Sequence, residues 1–136
     1  MKNENKRLKQ EYKQTQRAMG VFLIRNIIKD KIFLAAGLDL EGAINRHKFQ
    51  LAIGKHPNLE LQADWKTLGS TNFAFEILDQ MKPPQDPNLD RGKELAFMET
   101  MWLEQLKPFD DRGYNERKLN REERLRRIAA NRRGGF

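Results

Sequence analysis

Two ionisable side chains interrupt apolar stripes that are otherwise regular. Glu99 lies four residues after Leu95 and three before Trp102, so a helix would place all three on one face. A carboxylate in such a stripe is costly unless it is paired, hydrogen-bonded or bound to a metal ion. The spacing leaves two interpretations open. Glu99 is either a helix-edge residue paired with a lysine or arginine, or a metal ligand that faces a cleft.

His47 stands in a similar position on an earlier helix, where it shares a face with Ala43 and Ile44. Such a histidine is either a satisfied structural residue or a group that exchanges protons near neutral pH. Other chemistries have little support. The chain has no cysteine and only two histidines, so a zinc cage is not expected. No glycine spacing matches a phosphate-binding loop.

The elements that must hold these side chains are predicted from periodicity. Residues 20–25 and 31–36 are apolar on both faces and predict two covered strands joined by a turn. Helices are predicted over 40–53, 58–69 and 91–106, and a third strand over 72–79. We therefore expect a small α/β (α+β) domain, in which a three-stranded sheet is flanked by helices.

The net charge of +7 is concentrated at the two ends of the chain. Residues 1–18 carry +4 and residues 116–136 carry +5, whereas residues 19–115 carry −2. Clustered lysines and arginines are typical of segments that bind nucleic acid. The alternative interpretation is a solvated helix that keeps the protein soluble. We expect a domain over 19–115 between a basic N-terminal extension and a basic C-terminal tail, both helical.

The tail supplies the residues expected to contact nucleic acid, which are Lys118, Arg121, Arg124, Arg126, Arg127, Arg132 and Arg133. No apolar run reaches the roughly 18–20 residues of a membrane span. The polar N-terminus lacks the apolar core of a signal peptide. With no cysteine in the chain, these features lead us to expect a cytoplasmic protein without membrane contact. They do not fix an oligomeric state.

Several short motifs occur in the order typical of GIY-YIG endonuclease domains, which this sequence resembles over most of 19–115. Gly20-Val21-Phe22 stands at the GIY position, and Phe33-Leu34-Ala35 stands at the YIG position. The other resembling segments are the first helix (38–47), the helix–strand segment of homing-endonuclease members (58–78), the metal-binding glutamate with its aromatic–aliphatic pair (Glu99, Trp102, Leu103) and the closing GYN (113–115).

The resemblance implies metal-dependent hydrolysis of DNA phosphodiester bonds. In that family a glutamate holds one divalent ion, here expected to be Mg²⁺ or Mn²⁺. Two motif tyrosines and an arginine on the first helix help to activate water and to stabilise charge. Glu99 and Asn115 match the family's glutamate and asparagine, and His47 matches the helix histidine of some members.

The reactive positions differ from the family pattern. Phe22 and Phe33 replace the two tyrosines, Ala35 replaces the YIG glycine, and Ala43 replaces the catalytic arginine. A general base contributes about 10²–10⁴-fold to a rate. Arginines in phosphoryl transfer contribute ~10³–10⁵-fold. The replacements therefore remove the groups on which a fast nuclease of this type depends.

Neighbouring residues are candidates to replace the lost groups. Arg46 lies three residues after the alanine at the arginine position, and His47 has the proton affinity of a base near neutral pH. Lys31 is a weaker candidate. The alternative interpretation of Arg46 is an ordinary exposed residue in a phosphate contact or a salt bridge. Two functions stay open. One is a nuclease acting through Glu99, His47, Arg46 and Asn115, and the other is a non-catalytic module that binds nucleic acid or a protein partner.

Overall fold

A computed structural model of the chain describes residues 17–82, 86, 88–117, 125–126 and 128–129. The helix predicted within the N-terminal extension and most of the C-terminal tail lie outside these residues. The extensions and the domain boundaries therefore remain predictions from the sequence.

The described elements follow the predicted order. They are β1 (Met19–Asn26), β2 (Lys31–Gly37), α1 (Leu40–Ala52), α2 (Leu59–Leu68), a 3₁₀ turn (Ser70–Asn72), β3 (Phe73–Met81) and α3 (Arg91–Leu106). The fold class is confirmed as an antiparallel three-stranded sheet with flanking helices, in the strand order β2-β1-β3. β1 extends one residue beyond each predicted end and β2 one residue beyond its predicted C-terminal end, while β3 begins one residue later and ends two residues later than predicted. The added length follows the pairing with β1, which continues to Gly37 in β2 and to Met81 in β3.

The central strand β1 explains the two-sided apolar pattern. Phe22 and Ile24 are fully buried in the main core, which α1 and α2 supply with Leu40, Leu51 and Leu61. The alternating side chains of β1 point to the opposite face of the sheet. That face packs against α3, which contacts β1 and β2. The sheet therefore lies between two helical layers.

A β-bulge in β3 sets how the sheet meets α3. Phe22 pairs with Ile77 but Val21 pairs with Asp79, so β3 carries one extra residue. The shift turns Asp79 to the face of Val21. There its Oδ2 accepts a hydrogen bond from the indole nitrogen of Trp102 at 3.2 Å. The bulge thus anchors α3 to the sheet.

The outer edge of β2 is covered by residues 112–115, here called the edge segment. The backbone nitrogen of Ile32 donates to the carbonyl of Arg112 at 3.0 Å, and the nitrogen of Tyr114 donates to the carbonyl of Ile32 at 2.8 Å. Ile32 and Gly113 form a parallel bridge. The edge segment satisfies backbone groups that an edge strand would otherwise expose. It also fixes the position of the residues that follow it.

Within the described part of the chain, no helix combines the length and the apolar character that crossing a bilayer requires.

Candidate active-site groove

Two open clefts adjoin beside the edge segment. The histidine cleft, of about 820 Å³, is lined by His47, His56, Phe33 and Glu60 among others. The carboxylate cleft, of about 580 Å³, is lined by residues that include Glu99 and Glu104 on α3. Residues 115–117 line both clefts. The two clefts therefore adjoin at this segment, with His47 of α1 in one and Glu99 of α3 in the other, and together they are called the groove.

The two histidines form a directed hydrogen-bond chain. The backbone N–H of Asn58 donates to Nδ1 of His56 at 3.0 Å, so this nitrogen carries no proton. Nε2 of His56 lies 2.8 Å from Nδ1 of His47, and it must be the donor because the single proton of a neutral His56 is on Nε2. Nδ1 of His47 is then the acceptor. This leaves the proton of His47 on Nε2.

Burial keeps both rings neutral. It lowers the pKa of His47 to about 4, and the nearby His56 and Arg46 add to the shift. Burial also lowers the pKa of His56. In the neutral pair, Nε2 of His47 is a hydrogen-bond donor with no lone pair free for a proton. The geometry therefore favours His47 as a neutral donor over the proton-accepting base considered from the sequence.

Phenylalanines occupy the positions of the motif tyrosines and surround the histidines. The ring of Phe22 meets that of His47 edge-on, with the centroids 5.3 Å apart. The ring of Phe33 lies 5.9 Å from His47 and 5.5 Å from His56. Ala43 is buried in the main hydrophobic core, together with Phe22. These side chains supply packing and no hydroxyl or guanidinium group, so the reactive groups of the family pattern have no equivalent at these positions.

Arg46 and Lys31 lie differently from one another. Arg46 is exposed on α1, and it is not among the residues that line either cleft. Lys31 forms an ion pair with Glu60, and its Nζ lies 4.8 Å from the centroid of the Tyr114 ring. Neither cation is placed in the groove with its charge free.

Glu99 is half-buried on α3 and lines the carboxylate cleft. Within residues 17–82, 86 and 88–117, no salt bridge or side-chain hydrogen bond reaches it. Lys107 and Arg117 line the same cleft, but neither forms an ion pair with Glu99. The described residues also include no group of three or more metal-ligating side chains. A single carboxylate in an open cleft fits Mg²⁺, which keeps several waters and takes one or two protein carboxylates.

Asn115 uses both ends of its amide on the backbone of a single residue of β2. Its Oδ1 accepts from the backbone nitrogen of Leu34 at 2.8 Å, and its Nδ2 donates to the carbonyl of Leu34 at 2.8 Å. This pair of bonds completes the cover of the β2 edge. Asn115 therefore positions the wall of the groove, and the part it takes in chemistry stays a prediction.

A polar network beneath the groove was not predicted from the sequence. The Tyr114 hydroxyl donates to Asp64 Oδ2 at 2.7 Å and accepts from Asn26 Nδ2 at 3.0 Å. Burial and the neighbouring Asp64 raise the pKa of Tyr114. The backbone carbonyl of Tyr114 also accepts from Asn58 Nδ2 at 2.7 Å. The network links the edge segment to the start of α2, next to His56.

Two residues of the groove were missed as site residues, His56 and Arg117. His56 precedes the helix cap Asn58, and its burial depends on how α1 turns back through Gly54. Its spacing from His47 alone does not show that the rings meet. Of the predicted nucleic-acid contacts, Arg126 is described and exposed, and the other six lie outside the described residues.

The similarity of this chain to known proteins is found in its fold. No family model matches the chain, and no curated protein matches it. Among solved structures, the catalytic domain of homing endonuclease I-TevI matches with a TM-score of 0.59 and 25% identity. That match covers 74% of this chain and 99% of the other. A glutamate-to-alanine mutant of the catalytic domain of intron endonuclease I-TevI matches with a TM-score of 0.60 and 21% identity, and covers 76% and 97%.

The matches span nearly the whole of the compared catalytic domain and about three quarters of this chain. They agree with the resemblance carried by the ordered motifs, which is thereby confirmed. The chain has the fold of the catalytic domain of a GIY-YIG endonuclease.

Proposed function

We propose that this protein acts on DNA and cleaves phosphodiester bonds slowly in the presence of Mg²⁺ or Mn²⁺. The observation that carries the proposal is that residues 115–117 line both clefts. The carboxylate of Glu99 and the neutral histidine donor thus lie in adjoining clefts. The likeness to the catalytic domain of a homing endonuclease supports DNA as the substrate.

Glu99 is the residue that would hold the divalent ion. A bound Mg²⁺ or Mn²⁺ would stabilise the negative charge on the oxygens of the phosphate that is attacked. His47 contributes a hydrogen bond from Nε2 to a phosphate oxygen or to a water molecule. Phe22 and Phe33 contribute no proton transfer, and Ala43 contributes no charge. The reaction is therefore slow, by about 10²–10⁴-fold for a missing base alone.

Nicking of a supercoiled plasmid tests the proposal. The wild type is compared with Glu99→Gln, which keeps the size of the side chain and removes its charge. Glu41→Gln is the control, because Glu41 is an exposed residue of α1 that lines neither cleft. We expect nicking by the wild type and by the control, and a loss of at least about 100-fold in Glu99→Gln. Equal nicking by all three would contradict the assignment of Glu99.

A second candidate function is a DNA-binding module without cleavage. The packing of the histidine cleft favours it, since Phe22 is fully buried and Phe33 packs against both histidines. A wild type that shifts the plasmid on a gel but does not nick it would favour this function. A wild type that neither nicks the plasmid nor shifts it on a gel would favour a protein partner. The contribution of the basic tail is tested by deleting residues 116–136, which should weaken binding and its salt dependence.

A further inference from the structure

Arg117 occupies the junction of the two clefts. It follows the edge segment by two residues, and the double hydrogen bond between Asn115 and Leu34 anchors the chain just before it. Of the residues described, three line both clefts, namely Asn115, Glu116 and Arg117. Arg117 is the cation among them. Its position in the groove thus depends on backbone pairing with the sheet.

The guanidinium group of Arg117 is hydrogen-bonded through only some of its N–H donors. Its Nε and Nη2 donate to the same Asp110 oxygen, at 3.2 and 2.8 Å. The group also lies 5.3 Å from the centroid of the Phe109 ring. An arginine has five N–H donors, so three of them have no partner among the described residues. The side chain is 66% exposed and accessible to a ligand.

The positive charge of Arg117 can offset the negative charge of the carboxylate cleft. Glu99, Glu104 and Glu116 line the carboxylate cleft beside one lysine, Lys107. Three carboxylates outnumber that lysine, so an incoming phosphate meets repulsion unless a further cation offsets it. Ala43 supplies no charge at the family's arginine position, and the Lys31 ammonium is paired with Glu60. A planar guanidinium with free donors binds two phosphate oxygens at once.

We propose that Arg117 binds a phosphate of the DNA backbone at the junction of the two clefts, in place of the arginine that the first helix lacks. The inference rests on the proposed function, in that it takes DNA as the ligand. It does not depend on cleavage, because a phosphate contact contributes to binding whether or not the bond is broken.

The test measures binding of a short DNA duplex over a range of salt concentrations, in EDTA so that no cleavage intervenes. Arg117→Ala is compared with the wild type and with Lys66→Ala, which removes one exposed cation of α2 outside both clefts. Arg117→Lys keeps the positive charge and removes the guanidinium group, so it shows whether a loss of DNA affinity is due to the lost charge. Loss of one phosphate contact lowers the salt slope by about 0.9 and weakens binding roughly five- to tenfold near 0.1 M salt.

A weaker affinity and a shallower slope in Arg117→Ala, with neither change in Lys66→Ala, would support the inference. Equal binding by Arg117→Ala and Lys66→Ala would overturn it. So would a loss found in Arg46→Ala and absent from Arg117→Ala, or a wild type that binds no DNA. Plasmid nicking with Mn²⁺ is measured separately. Absence of nicking beside the expected binding result would overturn the proposed cleavage and leave the phosphate contact standing.

Discussion

The two halves of the groove differ in how their polar groups are used. In the histidine cleft, His47 and His56 are nearly buried and are joined in a chain of hydrogen bonds that begins at the backbone of Asn58. In the carboxylate cleft, Glu99 is half-exposed and has no hydrogen-bond partner among the described residues. A buried polar group must be satisfied for the fold to be stable, whereas an open carboxylate remains available to a ligand.

The departures from the family pattern fall on the first of these halves. Phe22 and Phe33 contact the histidines, and Ala43 lies in the core with Phe22. Glu99, which the resemblance matches to the family's glutamate, lines the other cleft. A phenylalanine in place of a tyrosine preserves packing and removes a hydroxyl. The polar groups of the histidine cleft are therefore satisfied within the fold, whereas the carboxylate of Glu99 has no such role among the described residues.

Disrupting the edge segment, which leads into the residues that both clefts share, should have the largest effect. A Cβ atom on Gly113 would lie 2.1 Å from the backbone carbon and oxygen of Pro108, neither of which can move alone. We expect Gly113→Ala to lower the free energy of unfolding by about 3 kcal/mol or more, measured by urea denaturation. Gly92→Ala is the control, since a Cβ there meets only the end of the Asp90 side chain. A change under ~1 kcal/mol in Gly113→Ala would contradict the close packing of the edge segment.

Removing one histidine should affect the histidine cleft alone. His56→Ala leaves Nδ1 of His47 without a donor and the N–H of Asn58 without an acceptor, and it opens a cavity. We expect a loss of about 2–4 kcal/mol in the free energy of unfolding. Lys55→Ala changes the exposed neighbour and should stay within ~0.5 kcal/mol of the wild type. Equal stability of the two variants would show that the histidine chain does not support the fold.

Acid should act on the same cleft. The pKa of His47 is about 4 in the folded protein and ~6.5 when unfolded, so the unfolded chain binds more protons between these values. Stability is complete above pH ~6.5 and falls as the pH approaches 4, by on the order of 2–3 kcal/mol for this residue. Urea denaturation at pH 7 and pH 4.5 measures the fall. His47→Gln should reduce it, and an unchanged fall would assign the acid sensitivity to other groups.

The smallest change in stability is expected from the carboxylate cleft. Glu99→Gln should alter the free energy of unfolding by no more than ~0.5 kcal/mol, because the side chain is half-exposed and has no described partner. The same denaturation experiment measures it beside His56→Ala. A loss above ~1 kcal/mol would show that Glu99 supports the fold, and the contrast between the two clefts would disappear.

Local patterns were enough to predict the elements and their order. The two-sided apolar runs predicted β1 and β2, and the stripe from Leu95 to Leu106 predicted α3 with the bounds that the structure shows. The bulge in β3 was not predicted, because it depends on pairing across the sheet rather than on the sequence of one strand. The cover of the β2 edge by residues 112–115 also arises from tertiary contacts.

The groove could be predicted only in part. Glu99 was singled out because a carboxylate stands out in an apolar stripe, and the structure places it on the lining of the carboxylate cleft. The contact between His47 and His56 depends on the angle at which α1 meets α2, and the place of Arg117 depends on the edge segment. These relative positions cannot be predicted from residue types and spacing. The chemical roles of the groove residues remain predictions.

Under the proposed function, a divalent ion binds at Glu99 and not at the histidines. Paramagnetic broadening of backbone amide NMR signals by Mn²⁺ tests it most directly, because broadening falls steeply with distance from the ion. The expected result is broadening centred on residues near Glu99 in the wild type and in Glu41→Gln, and its loss in Glu99→Gln. Broadening centred on His47 and His56, or broadening that persists in Glu99→Gln, would contradict the claim.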